Sequence, residues 1–176
     1  EGVSPSALLE IGGGSAQVAI CDGEKVTQEV SLPLGTGRLI AQTSLSYPCS
    51  AVQIDSLESL IESQMEKLAA FPKPRRVVAS GGVARGLWKA LHPDNDREVH
   101  AEELEYLKWA VPRLPLERLA TRFNVRAKRA QTLLPGAMAF ARLLEALGHD
   151  HMTVSEFGVR DGAILEMFDR AQKRTK

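Results

Sequence analysis

Three consecutive glycines, Gly12-Gly13-Gly14, sit between the apolar runs Ala7-Leu8-Leu9 and Val18-Ala19-Ile20, and this leaves the chain few ways to begin. Two runs of strand length around so short an interval predict a pair of strands joined by a turn. Glycine has no Cβ, so its backbone N–H groups can come close to a bulky anion. Successive N–H groups in such a turn form a concave nest that suits phosphate. Glu10, just ahead of the turn, is placed to hold a metal or a water against that phosphate. The plainer reading is a tight β-turn that needs positive φ, although three glycines exceed what a turn requires. The run is not a Walker A loop, because no Gly-Lys-Ser/Thr follows, and a strand rather than a helix comes next. The same objection excludes a dinucleotide fingerprint.

The rest of the pattern sets that turn in a mixed fold. Ser6–Ile11 and 17–21 read as strands, Asp22-Gly23 is a hairpin signal, and Lys25–Leu32 alternates as a third strand, so the chain opens with an antiparallel meander. The stretch 32–37, Leu-Pro-Leu-Gly-Thr-Gly, breaks the sheet, and a short helix is predicted over 38–45. Asp55 and Glu58 have the form of a capping box for a longer helix whose Leu57, Leu60, Ile61, Met65 and Leu68 share one face. Pro72 and Pro74 end it. Arg76–Ser80 is a short strand, Gly81-Gly82 follow, and a helix is predicted over 83–91, then a polar loop over 92–97. Helices are predicted at 101–111, 116–123 and 126–147, the last broken or kinked by Pro135-Gly136 and capped by Gly148. A strand over 152–157 and a helix over 160–171 close the pattern, with a frayed basic tail over 173–176. The expectation is one α/β domain over 1–176: a mixed sheet with flanking helices and a helical insertion over about 93–147.

The 22 basic and 22 acidic residues cancel, so bulk charge supports binding to neither nucleic acid nor an anionic membrane surface. No apolar run approaches the roughly 18 residues needed to cross a membrane, and the first residues lack the basic and apolar regions of a signal peptide. Cys21 and Cys49 have no metal-ligand spacing; a disulfide between them is open, but two thiols in a chain of this size suit a reduced, cytoplasmic protein.

Three further segments could carry chemistry. Ala79-Ser80-Gly81-Gly82 ends a strand and opens a helix, where free N–H groups and the helix dipole favour an anion; close packing at a strand-to-helix turn explains it equally. Gly35-Thr36-Gly37-Arg38 is a loop whose arginine either clamps a phosphate or stands solvated on the first turn of a helix. Segment 155–162, Ser-Glu-Phe-Gly-Val-Arg-Asp-Gly, runs from strand to helix with Asp161 where the helix dipole favours it, a structural role. His92, His100, His149 and His151 show no zinc-like pairing, and no Ser-His-Asp or Cys-His arrangement is evident.

Taken in order, Leu9-Glu10-Ile11-Gly12-Gly13-Gly14-Ser15, Ser31-Leu32-Pro33-Leu34-Gly35, Ala79-Ser80-Gly81-Gly82, Arg129 with Leu134-Pro135-Gly136-Ala137, and segment 154–162 resemble the exopolyphosphatase/guanosine pentaphosphate phosphatase family. That family belongs to the actin–hexokinase–Hsp70 (ribonuclease H-like) fold superfamily. The resemblance spans essentially the whole chain and is specific through the order of individually weak motifs. It implies two actin-like domains around a cleft, of which this chain resembles the second. It implies phosphate contacts from Gly12, Gly13, Gly14 and Ser15, with Gly81 and Gly82 on the far side of the cleft. It also implies Mg²⁺-dependent release of terminal orthophosphate from polyphosphate or pppGpp, and a homodimer for the complete protein.

Two departures from the family pattern bear on catalysis. Glu10 stands where the family usually has Asp, and the extra methylene moves the carboxylate by over an ångström. Ala16-Gln17 stands where the family usually has Thr-Glu; Gln17 keeps an oxygen but loses the charge that Mg²⁺ prefers. The resemblance thus makes Glu10 the catalytic and metal-binding candidate and Gln17 a weakened metal partner. It assigns the first phosphate loop and the water-positioning glutamate to the other domain. Two alternatives accompany the hydrolase: a degenerate phosphate-binding or sensor module, and a sugar-kinase-like or Hsp70-like ATP-binding half.

Overall fold

The structure, a computed structural model, describes residues 5–174. Strands β1 (Ser6–Ile11), β2 (Ala16–Asp22) and β3 (Lys25–Leu32) form the expected antiparallel meander. The β2–β3 turn is Gly23-Glu24 rather than Asp22-Gly23: Asp22 still pairs with Lys25, and Gly23 supplies the positive φ of 58° that the hairpin needs. Helices α1 (Thr36–Thr43) and α2 (Ala51–Glu62) follow, then β4 (Arg76–Ser80) and α3 (Gly81–Leu91). Next come a short β5 (Glu98–His100), α4 (Ala101–Ala110), α5 (Leu116–Arg122), α6 (Ala127–Ala130) and α7 (Leu133–Leu147). Strand β6 (His151–Val154) and helix α8 (Val159–Arg174) complete the order. The six strands form one mixed sheet in the order β3-β2-β1-β4-β6-β5. β4 lies parallel to both β1 and β6, and β5 closes the edge antiparallel to β6.

Several expected boundaries move for identifiable reasons. α2 is capped by Ser50, not Asp55: the Ser50 hydroxyl accepts from Gln53 N at 3.3 Å, and Ser50 N donates to Gln53 Oε1 at 2.9 Å. That reciprocal pair is a capping box one turn upstream of the expected one. α2 also stops at Glu62, and its apolar face continues through a 3₁₀ turn, Met65–Leu68, so Leu57, Ile61 and Leu68 stay buried across the break. The expected helix over 126–147 divides near Gln131 and Thr132 instead of at Pro135-Gly136. Pro135 falls in the first turn of α7, where no backbone donor is required. Gly148 caps α7 with φ 75°. Strand β5 is three residues long and sits at the sheet edge, too short to show an alternating pattern. The tail expected to fray is helical through Arg174; Thr175 and Lys176 lie outside the described residues.

The core lies on one face of the sheet. Ala7, Leu9, Ile11, Val18, Ile20, Val77, Ala79, Met152 and Val154 alternate inward and are essentially inaccessible. Their cover is centred on α7, buried along nearly its whole length and packed against α1, α2, α3 and α4. Gly136 makes that packing possible, because a Cβ there would lie 2.6 Å from Val83 Cγ1 on α3. On the opposite face Leu8 and Val26 are exposed. Among the described residues, no helix is long and apolar enough to cross a membrane.

Candidate phosphate site

β1 and β4 run parallel and in register, so their C-terminal ends lie side by side with Glu10 opposite Ser80. Glu10 also faces Gln17 on β2, and Gln17 faces Ser31 on β3. Strand alternation sends Leu9 and Ile11 into the core, so Ser31, Gln17, Glu10 and Ser80 form a polar row on the other face, across four strands at one end of the sheet. Gly12, Gly13, Gly14 and Ser15 turn from β1 into β2 beside this row, and Gly81 and Gly82 leave β4 on its other flank. The fold therefore gathers Glu10, the glycine run, Ser15, Gln17, Gly81 and Gly82 into one place.

The glycine run is held by α1. Thr36 N donates to Gly12 O and Arg38 N to Gly13 O, both at 2.9 Å, and Arg38 Nε donates to Gly14 O at 3.0 Å. The first amides of a helix lack intrahelical partners, and here two of them are satisfied by loop carbonyls; Gly35, at the N-cap, contributes no side chain. Its carbonyls are drawn toward α1, and its amides find no partner there. Those of Gly13, Gly14 and Ser15 meet no acceptor among the described residues. Gly35 permits the arrangement: a Cβ at that position would overlap the backbone of Gly14 and Ser15. Arg38, which read from the sequence as either a clamp or a solvated residue, is the brace of the loop. The Gly-Thr-Gly-Arg spacing was its only signal.

α3 brings a second set of free amides. Ser80 is its N-cap but makes no capping bond; its hydroxyl donates instead to Phe157 O at 3.0 Å. Gly81 has φ 88°, and a Cβ there would sit 3.0 Å from both Cγ and Oε1 of Glu10. The carboxylate thus lies against the uncapped start of α3, half-buried. Gln17 is a brace as well: its side-chain amide donates to Ser15 Oγ at 3.2 Å and Ser31 Oγ at 3.0 Å. Segment 155–162 is structural here, since Gly158 N donates to Asp161 Oδ2 at 2.7 Å and Ser155 N to Ala79 O at 2.8 Å. Cys21 and Cys49 are both free, and burial pushes the Cys49 thiol up to about 11.

Between the glycine run and α3 opens a pocket of about 410 Å³, whose lining includes Gly12, Gly13, Gly82, Arg126, Lys128 and Arg129. Arg129 is fixed over α3 by a hydrogen bond from Nη1 to Gly82 O. A Cβ on residue 82 would come within 2.8 Å of that nitrogen, so the guanidinium would have to shift. Arg126, Lys128 and Arg129 were not singled out as binding residues; their signal was the basic run Arg126-Ala127-Lys128-Arg129. Unpaired amides, a helix start and several cations converge on the chemistry of an anion, with one carboxylate beside them.

Residues 4–171 match the family model described as the Ppx/GppA phosphatase family. The chain belongs to the Ppx/GppA phosphatase family. Among its relatives are an uncharacterized protein of Streptomyces coelicolor, 27% identical over 92% of this chain and 52% of that protein, and exopolyphosphatase 1 of Mycobacterium leprae, 24% identical over 92% of this chain and 51% of that one. The chain thus spans about half the length of the curated relatives it matches. The fold is that of solved Ppx/GppA proteins, which are actin-like. The Aquifex aeolicus family member superposes with a TM-score of 0.81 at 22% identity, over 96% of this chain and 57% of that one. An exopolyphosphatase from Cytophaga hutchinsonii gives 0.79 at 14% identity, over 94% and 57%.

Proposed function

We propose that these residues form the C-terminal, second actin-like domain of an exopolyphosphatase-like phosphohydrolase that releases terminal orthophosphate from polyphosphate or pppGpp. One observation carries this reading: the glycine run is held by its carbonyls, which leaves the amides of Gly13, Gly14 and Ser15 without an acceptor among the described residues, beside Glu10 and the uncapped start of α3. Such donors neutralise phosphoryl oxygens without reorganising as charge builds. Glu10 is placed to orient an attacking water in line with the phosphate held by Gly12, Gly13, Gly14 and Ser15. Gly81 and Gly82 face the same anion with the amides that open α3.

Mg²⁺ fits this donor set in part. The ion is commonly held by one or two carboxylates, with water and substrate phosphates completing its shell, and Glu10 is the carboxylate available. Gln17 has both amide hydrogens engaged by serines and offers at most its carbonyl oxygen. When bound, Mg²⁺ would offset charge on the phosphoryl oxygens. By family resemblance, the partner domain holds the first phosphate loop and the glutamate that positions water, so the 176 residues alone do not hydrolyse phosphoanhydrides. The same resemblance makes the complete protein a homodimer, and the two free thiols suit a cytoplasmic setting.

A second reading, a non-catalytic phosphate-binding or sensor module, is favoured by one feature: Gln17 is committed to Ser15 and Ser31, which leaves a single carboxylate in the polar row. Joining the chain to its upstream domain and measuring Mg²⁺-dependent orthophosphate release from long-chain polyphosphate separates the two. The hydrolase reading expects Glu10→Ala to lower the rate by about 10²-fold or more. Release no greater than the Glu10→Ala background leaves the binding module.

A further inference from the structure

The outer face of α4 carries a patch that the phosphate site does not use. Leu104, Leu107 and Ala110 turn inward, where α4 packs on α7. The opposite arc reads Glu102, Tyr106, Trp109 and Arg113, at intervals of four, three and four residues, which set all four on one side of a helix. All four are exposed, Tyr106 by 40% and Trp109 by 59%. The aromatic pair is braced. The rings of Tyr106 and Trp109 stack with centroids 6.5 Å apart, and Tyr106 meets Phe123 edge-on at 6.4 Å. Arg122 Nη2 donates to the Tyr106 hydroxyl at 2.9 Å, and the Arg113 guanidinium lies 4.8 Å over the Trp109 ring. Solvent-facing Tyr and Trp steadied by arginines have the composition of an interface centre. The charges at the two ends lack partners at home. At about 1.5 Å per residue, Glu102 and Arg113 lie roughly 16 Å apart along the axis, too far to pair within one chain. Neither has an ion-pair partner among the described residues.

The order acid, aromatic, aromatic, base is its own complement. Its midpoint falls between Leu107 and Lys108, whether taken from Glu102 and Arg113 or from Tyr106 and Trp109. A two-fold axis through that point, with the helices antiparallel, sets Glu102 against Arg113 of a second copy at both ends. The same axis sets Tyr106 against Trp109 twice at the centre. A parallel pairing would bring like charges together, and a displaced one would leave an aromatic ring uncovered. We infer that this face of α4 is an isologous dimer surface whose occupant is a second copy of this chain. The stacked aromatics supply a desolvated centre, and the end charges fix direction and register. Single-stranded nucleic acid also stacks on exposed aromatics, but here Glu102 and Glu105 on the same helix would repel its phosphates. The inference does not rest on the hydrolase reading.

The test is sedimentation velocity over a concentration series. The 176-residue chain carries Ile164→Lys/Phe168→Lys, so that the exposed apolar residues of α8 take no part. A dimer is expected, and with it a blue shift of tryptophan emission as concentration rises, since Trp109 is exposed and Trp88 is buried. Glu102→Arg alone and Arg113→Glu alone should each weaken the dimer by about tenfold or more. An equimolar mixture of the two single variants should restore it, because both end contacts then pair an arginine with a glutamate. Both reversals in one chain should restore it as well. Circular dichroism and thermal melting identify variants that stay folded. If Arg113→Glu misfolds, Glu102→Arg and Trp109→Ala, both at exposed positions, should each still weaken the dimer. A chain that stays monomeric throughout the series would overturn the inference. So would a dimer indifferent to the folded single reversals, or a mixture that associates no more tightly than either variant alone. Single-stranded oligouridine that saturates the Trp109 emission change with no dimer present would assign the face to nucleic acid instead.

Discussion

At the scale of single residues, the glycine run rests on a position where a side chain has no room. Gly35 is that position: its α-carbon packs on the backbone of Gly14 and Ser15, so a methyl group there must push the glycine run away from α1. Overpacking of this kind costs about 2 kcal/mol, so Gly35→Ala is expected to lower the urea midpoint and weaken phosphate binding together. An unchanged midpoint would show that the run is not held against α1. The same logic explains what was legible here. Gly12, Gly13, Gly14, Gly81 and Gly82 stand out in the sequence because runs of glycine are rare and punctuate strands. Arg38 and Gln17 did not reveal their roles, because bracing the Gly14 carbonyl or the Ser31 hydroxyl depends on residues 24 and 14 positions away.

At the scale of elements, the strands and their turns were readable and the helix ends less so. β1, β3 and β4 carry alternation or short apolar runs bounded by glycine, and each keeps the boundaries expected of it. The start of α2 was misplaced because Asp55 and Glu58 imitate a capping box that Ser50 and Gln53 form in fact. This has a measurable corollary: Ser50→Ala should destabilise the protein by about 1 kcal/mol, whereas Asp55→Ala, inside the helix, should have much less effect. Chemical denaturation of both variants checks it, and the reverse order of sensitivity would return the cap to Asp55. The break in 126–147 was placed too late because Pro135 reads as a breaker, although in a first turn it is harmless. β5 was hidden by its length.

At the scale of the whole molecule, apolar surface is spread unevenly. Ile164, Leu165, Met167 and Phe168 lie within one arc of α8, and each is more than 60% exposed. Apolar surface gathered in this way favours association. The 176-residue chain is therefore expected to self-associate beyond a dimer at high concentration in sedimentation velocity, and Ile164→Lys/Phe168→Lys to remove the larger species. Their persistence in that variant would move this contact to another face, such as the one bearing Leu8 and Val26. Such association would report the bare stripe, not the dimer expected of the complete protein.

The anchoring of the glycine run on α1 has a consequence for how the molecule responds to pH. Its inner anion donors are peptide N–H groups, which have no proton to gain or lose over any range a protein survives. The aligned peptides of α1 polarise them through the carbonyls of Gly12 and Gly13. The inner receptor therefore keeps a constant field while the phosphate itself changes charge within it. A change in the guest's charge with pH is then met by donors that stay silent in the titration.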